Sequence, residues 1–322
     1  MGFGMKKMLL GVAVGGVLAM GGVANAAPTD LTTLIAYGPL PAGASNNLTD
    51  QNGEGLIKGV GNTNAGVIQQ GDFIYGVFDY NRIYNNNHAY PGEGMGGNSG
   101  YTELTGVFLI EVITKTPAAG GTFNFTFGAN AAKMASTFGI TVANLGTMVR
   151  LFDDPSLNFT LGVSSTIAQS INSAKDGTQL VDVGFTGAGG NAALGEGWAV
   201  VGGSDNFASL MTLPIAYTAF GTSNFALDRT NTTGFVGGLN LVKQDNTVTQ
   251  SFGGKAEFVG SSTIKGVLDP TGSPITVWGG SSQTNISFIA AVPVPTAAFM
   301  GLPLLALMGG VAALRRRTAR LV

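Results

Sequence analysis

The sequence predicts a mainly β fold, a β-sandwich or jelly roll with one or two short helices. Three observations favour it. Runs rich in aromatic and β-branched residues recur through the middle of the chain. Clusters of glycine, asparagine and serine separate these runs, as turns do. Helical patterns are few and short, so that the strands must pack mostly against one another.

Composition excludes several classes of function. Only 11% of the 322 residues are charged, cysteine is absent, and His88 is the one histidine. Without cysteine there is no disulfide, thiolate zinc site or cysteine nucleophile, and one imidazole is too few for a histidine-based zinc centre. The chain has no basic stripe, and its net charge is −2. We therefore expect no nucleic-acid partner.

Residues 1–26 carry the pattern of a secretory signal peptide. Two lysines precede an uncharged run that ends with the small residues Ala24 and Ala26. A basic start, an apolar middle and an A-x-A site are the three parts of a cleavable signal. We expect cleavage after Ala26, which leaves residues 27–291 as the exported domain.

The exported domain is predicted to consist mainly of strands. The strongest candidates are residues 72–84, 103–114 and 122–128, and in the last of these Phe123, Phe125 and Phe127 share one face. Shorter candidates are residues 157–162, 179–185, 197–201, 224–227, 235–242, 247–252, 256–259 and 285–291.

Two segments are predicted to be helical, and one to be a long loop. Residues 130–137 are alanine-rich and stop before Gly139, and residues 165–175 begin with residues that cap helices. Residues 84–100 are predicted to form one loop, of a length that is uncommon unless it is functional. His88 lies in it, and we interpret this residue as a solvated loop histidine.

Candidate catalytic groups are sparse. The chain has no G-x-S-x-G or Walker A motif, and its G-x-G-x-x-G match at residues 92–97 lies in the predicted loop. Asp153 and Asp154 precede a proline and are predicted to start a turn. A secreted enzyme that acts on polysaccharide through a carboxylate pair stays open as an alternative, because sequence alone does not give the separation of two acids.

Calcium and carbohydrate are the ligands that the exported domain could hold. Asp50, Asn52 and Glu54 place oxygen ligands around a predicted glycine turn, which favours a hard cation such as calcium. A calcium-stabilised carbohydrate-binding module is therefore a further alternative. Both tryptophans are interpreted as core residues. The aromatic residues that could instead stack on a sugar are Tyr90, Tyr101, Trp198 and Trp278.

The C-terminus carries the pattern of a membrane span. Residues 297–314 form an uncharged apolar run of 18 residues. As a helix the run would be about 27 Å long, close to the hydrocarbon thickness of a bilayer. Arginines that directly follow a span hold that end in the cytoplasm. The arginines that would do so are Arg315, Arg316, Arg317 and Arg320.

A short proline motif precedes the span. It consists of Val292, Pro293, Val294, Pro295 and Thr296. Its two prolines enforce an extended backbone, which can enter a protease groove as a strand.

The order of proline motif, span and arginine cluster resembles the PEP-CTERM class of sorting signals, and most closely the VPLPA-CTERM variant. Val294 and Thr296 stand where that variant has leucine and alanine. The resemblance covers residues 292–320. It implies recognition by an exosortase-type membrane protease in a Gram-negative producer, and transfer of the exported domain to the cell surface or the exopolysaccharide matrix.

The function that these features predict is that of an exported surface or matrix protein. The exported domain holds all 18 acidic residues but only 10 of the 16 basic ones, so its net charge is −8. We expect a transient anchor in the inner membrane, processing at residues 292–296, and then a structural or adhesive role with exopolysaccharide or the cell envelope.

Overall fold

The computed structural model describes residues 46–64, 66–85, 88–91, 103–154, 156, 158–161, 165–207, 222–231, 241–245, 247–265 and 281–290. The predicted signal peptide at residues 1–26 and the predicted sorting signal at residues 292–322 lie outside these residues. Tyr101, Trp278 and most of the strand predicted at 235–242 lie outside them as well. No helix among the described residues is long and apolar enough to cross a membrane.

The described fold is mainly β, as predicted. Its strands are β1 (Asn46–Ile57), β2 (Phe73–Asn85), β3 (His88–Pro91), β4 (Glu103–Pro117), β5 (Phe123–Gly128), β6 (Thr147–Asp154), β7 (Thr178–Gly184), β8 (Gly197–Gly203), β9 (Thr222–Arg229), β10 (Leu241–Val242), β11 (Phe258–Lys265) and β12 (Ser281–Ala290). Its helices are α1 (Ala131–Phe138), α2 (Ile167–Ser173) and α3 (Thr247–Ser251).

All these strands belong to one antiparallel sheet, which curls so that strands far apart in the strand order also pair with each other. The order is β3-β2-β1-β12-β11-β9-β7-β6-β4-β5-β8, with β10 beside β12. Two further pairings, β2 with β4 and β8 with β9, connect strands that are distant in this order. The sheet therefore surrounds a common interior.

Strand β4 is the centre of this arrangement. One of its edges pairs with β2, and the other pairs first with β6 and then with β5. Phe108 and Ile110 face the inner core, whereas Val107 and Leu109 belong to a second core on the outer face. Because both faces are covered, the strand needs apolar residues at consecutive positions, and this is why its sequence does not alternate.

The inner core is aromatic. The ring of Trp198 lies 6.3 Å from that of Phe108, 6.5 Å from that of Phe127 and 5.0 Å from that of Phe225, centroid to centroid. Its indole N–H donates a hydrogen bond to the Ser223 hydroxyl at 2.6 Å. Trp198 therefore packs in the core, as interpreted from the sequence.

Helices α1 and α2 cover the outer core and lie within two residues of their predicted bounds. Asn130 caps α1 by accepting a hydrogen bond from the Lys133 backbone N–H. Gly139 ends that helix in the left-handed region, with a φ of 65° that favours glycine. Thr166 and Gln169 form a capping box at the start of α2.

Four local predictions are wrong. Residues 247–252 were expected as a strand, but residues 247–251 form α3, because Val248 and Phe252 are four residues apart and pack on the same small core. Residues 158–161 are not a strand. The expected loop 84–100 begins as a hairpin, in which His88 pairs with Asn85. The expected glycine turn at Gly53 lies within β1, which pairs along β2.

Candidate functional site

Three acidic residues lie together on the outer face of the sheet, in the middle of β2, at the start of β4 and at the end of β6. Glu103 of β4 lies directly opposite Asp154 of β6. Asp79 of β2 lies directly opposite Thr105, the next residue of β4 on the same face as Glu103. Directly opposed residues have Cβ atoms about 5 Å apart, and diagonal neighbours about 7 Å. We call Asp79, Glu103 and Asp154 the carboxyl cluster.

Glu103 is the member of the cluster that holds other chain segments in place. Its side chain is buried, and its two carboxyl oxygens accept hydrogen bonds of 3.0 Å from the backbone N–H groups of Asn158 and Phe159. The pKa of Glu103 is raised to about 7, chiefly by burial; the two backbone donors oppose the rise, and the nearby charges of Asp154 and Asp176 add to it. Glu103 therefore retains its proton well above the usual range of a carboxyl group.

Asp79 has the more strongly shifted carboxyl group. Burial raises its pKa to about 8, and the charge of Glu103 contributes to the rise. Its Oδ1 atom is buried and has no hydrogen-bond partner among the described residues. A carboxylate without donors in such a place is costly, so the neutral form is favoured.

Asp154 shows why the sequence interpretation of this region was incomplete. Asp153 and Asp154, predicted to start a turn, are the last two residues of β6 and pair with β4, and a turn follows them at Ser156. Asp154 is 1% exposed, and its Oδ1 accepts a hydrogen bond of 2.8 Å from the Ser156 N–H. Its Oδ2 is buried without a hydrogen-bond partner in the described part of the chain.

Two segments lie over the carboxyl cluster, and we call residues 158–161 and 165–176 together the cover. The Thr105 hydroxyl donates a hydrogen bond of 3.0 Å to the Ala174 carbonyl, which fastens the end of α2 to the sheet. Asn158 and Asp176 join the two segments through a side-chain hydrogen bond of 2.9 Å. Between them lies an open cleft of about 440 Å³. Its lining consists of Thr160, Ser165, Gln169, Asn172, Ser173 and Asp176.

The predicted calcium ligands are not around a turn. Asn52 and Glu54 lie two residues apart on β1, are buried, and line an interior cavity of about 60 Å³. The side chain of Asp50 lies outside the described part of the structure. Among the described residues, no group of three histidine, aspartate or glutamate side chains is placed to hold a metal ion.

A second network of charges, formed by Glu196, Asp228, Arg229, Lys243 and Glu257, connects loops to the sheet. Asp228 accepts hydrogen bonds from the Lys243 ammonium and from the Glu257 N–H. Glu257 accepts from the Arg229 guanidinium at 2.9 Å. Glu196 accepts from the N–H groups of Thr186 and Ala193 at 2.9 and 2.7 Å. Because these carboxylates are all engaged, we assign the network a structural role.

The carboxyl cluster was not predicted from the sequence, although two of its members carry a signal. Asp79 lies within a strongly apolar strand, and Glu103 begins another. Acids at such positions are candidates for burial, but only the strand register shows that they meet.

Comparisons with protein-family models, with curated proteins and with solved structures found no match. The function proposed below therefore depends on the residues of this chain alone.

Proposed function

We propose that the protein is an exported component of the cell surface or extracellular matrix, sorted by its C-terminal segment. The observation that carries the proposal is the order of the proline motif at residues 292–296, the apolar run at 297–314 and the arginines that follow. The signal pattern at residues 1–26 supports it, because a C-terminal sorting signal acts only on a chain that has been exported.

The partners in this proposal are an exosortase-type membrane protease and the exopolysaccharide or cell envelope. The membrane holds the chain briefly through residues 297–314, and the protease acts near residues 292–296. The exported domain then has a structural or adhesive role at the surface. Its net charge of −8 favours solvation and disfavours anionic partners.

The exported domain in this proposal is a β-sandwich or jelly roll with a rigid core. Support comes from the curled sheet, whose opposite sides contribute to one aromatic core. Several loops are also joined to the sheet by ion pairs. Lys58 pairs with Asp72, which accepts three further hydrogen bonds, and Lys115 pairs with Asp205. Such a domain suits a protein that has to persist outside the cell.

The test is the fate of the chain when the proline motif is removed. Residues 292–296 are replaced with a Gly/Ser linker of equal length, and the chain is followed by fractionation and immunoblotting in a producer that encodes an exosortase. We expect the variant to accumulate uncleaved in the inner membrane. Release as efficient as that of the native chain would refute the proposal.

A matched pair of tail variants separates sorting from simple anchoring. Replacing Arg315, Arg316, Arg317 and Arg320 with lysine keeps the positive charge that a membrane anchor needs, whereas replacing them with glutamine removes it. If the C-terminal segment is a plain anchor, the lysine-tailed chain stays uncleaved in the membrane, whether residues 292–296 are native or replaced by the Gly/Ser linker. If it is a sorting signal, release requires the native residues 292–296, both in the arginine-tailed and in the lysine-tailed chain.

An enzyme that uses a carboxylate pair is the second candidate, because Asp79 and Glu103 meet and have raised pKa values. Both oxygens of Glu103 accept hydrogen bonds from backbone N–H groups of the cover, however, and the side chain is buried, so the cover would have to move before a glycosidic oxygen could reach it. The direct test is hydrolysis of matrix polysaccharide by the native chain and by Glu103→Gln. Equal activity of the two would remove this candidate.

A calcium-stabilised module is the third candidate, and melting curves test it. Calcium that binds the folded state through Asp50, Asn52 or Glu54 would raise Tm, and a chelator would lower it. An identical Tm with calcium and with chelator would remove this candidate.

A further inference from the structure

The cover lies over buried acids rather than over an apolar surface alone. Phe159, Leu161, Ile167 and Ile171 pack on the outer core, and this apolar contact holds the cover at any pH. The polar contacts differ, because the backbone of residues 158 and 159 hydrogen-bonds to Glu103 and lies next to the carboxyl cluster. The stability of the cover therefore depends on the charge state of acids that it shields from water.

Among the described residues, few positive charges are placed to neutralise this cluster. Asp176 of the cover and Asp154 of β6 add negative charge around Glu103. The nearest cation of the cover, Lys175, donates to the Phe138 carbonyl at 2.5 Å. From the other elements on this face, Lys133 of α1 lies over the Phe73 ring, and Arg150 of β6 is bound to Asp182. Ionisation of a second carboxyl group thus adds a like charge that these neighbouring cations do not balance.

We infer that the cover is a pH-controlled lid, which is held closed while Asp79 and Glu103 keep their protons and loosens as these two groups ionise. Opening admits water to Asp79, Glu103 and Asp154 and exposes the outer core beneath, including Leu109 and Phe138. An exported protein meets the pH of its surroundings directly, so such a lid would respond to acidification or alkalinisation of the matrix.

The direction follows from proton linkage. In the closed state the pKa is about 7 for Glu103 and about 8 for Asp79. When the cover opens, contact with water returns these pKa values to the ordinary 4.5 and 3.8. The closed state therefore binds protons more strongly than the open state, and rising pH favours opening until it passes the closed-state values. One unit of difference in pKa corresponds to a tenfold change in the opening equilibrium.

The test is hydrogen exchange of the full chain at pH 6 and pH 8.5, followed by mass spectrometry and corrected for the intrinsic pH dependence of exchange. We expect the opening equilibrium of residues 158–161 and 165–176 to rise at least tenfold, while amides of β4 at residues 106–110 change little. Equal protection of the cover at the two pH values would overturn the inference.

Carboxyl-to-amide variants identify the groups responsible. Asp79→Asn removes one ionising group and should reduce the increase of the opening equilibrium between pH 6 and pH 8.5. The double variant, Asp79→Asn with Glu103→Gln, should reduce this increase to below about threefold. If Asp79→Asn does not fold, Glu103→Gln alone is measured instead, because its amide oxygen can still accept hydrogen bonds from the backbone of the cover.

The matched control is Asp205→Asn, the same change of charge in the Lys115 ion pair. It should keep the full rise in the opening equilibrium of the cover. A rise that survives in the double variant, or that is lost in Asp205→Asn, would show that other groups control the cover.

Discussion

Removing one partner of the buried Arg150–Asp182 pair should destabilise the protein strongly. The two residues lie opposite each other on β6 and β7, and their side chains are 6% and 3% exposed. The guanidinium Nε donates to Asp182 Oδ1 at 2.6 Å, and Nη2 donates to Oδ2 at 2.8 Å. Asp182→Ala would leave the guanidinium buried without its counter-charge.

The expected loss is about 3 to 5 kcal/mol in the free energy of unfolding, the range for breaking a buried ion pair. The structure supports the upper part of this range, because both hydrogen bonds are charge-assisted and the pair is bidentate. At an m-value of about 3 kcal/mol per molar urea, the unfolding midpoint should fall by about 1 to 2 M. Urea unfolding followed by Trp198 fluorescence measures this shift.

Two further variants test whether burial determines the energetic value of the Arg150–Asp182 pair. Arg150→Met with Asp182→Leu removes both charges and should recover most of the lost stability, since apolar residues of similar size replace buried ion pairs at little cost. Asp205→Ala breaks the Lys115 pair, whose side chains are 17% and 24% exposed, and should cost about 1 kcal/mol or less. If Asp182→Ala costs no more than Asp205→Ala, or if the double variant is no better than the single one, burial does not set the value of this pair.

Three further predictions concern the outer face. Phe138→Ala should lower the free energy of unfolding by about 3 to 5 kcal/mol in urea titrations, because this ring is 1% exposed. Thr166→Ala removes the cap of α2 and should cost about 1 kcal/mol in the same assay. The pKa values of Asp79 and Glu103, about 8 and about 7, lie above their ordinary values, so the folded state retains protons that the unfolded state releases. Tm should therefore fall as pH rises from 4 to 8, and Asp79→Asn should raise Tm at pH 8 but not at pH 4.

The sequence predicted most of the apolar strands and the helices that are capped, but it missed β6, although Met148, Val149, Leu151 and Phe152 make that strand apolar. Strands β2, β4 and β5 lie within one to three residues of their expected bounds, because their side chains alone demand a buried, extended backbone. Helices α1 and α2 were found through Asn130, Gly139 and Thr166, which act locally. Strand β1 was missed because asparagine, aspartate and glycine disfavour strands, and its pairing with β2 overrides that preference.

The carboxyl cluster could not be predicted from the sequence, for a different reason. Asp79, Glu103 and Asp154 come from three strands, and nothing local in the chain relates them. A shift of one residue in the register of β6 would turn Asp154 to the opposite face and place Asp153 on the outer face instead. The sequence marks both as acids before a proline, which is equally compatible with a turn. Burial then changes the chemistry of Glu103, since burial and the charge of Asp154 raise its pKa above the value that an exposed acid has. A property that depends on register and burial together can be inferred only once the sheet is known.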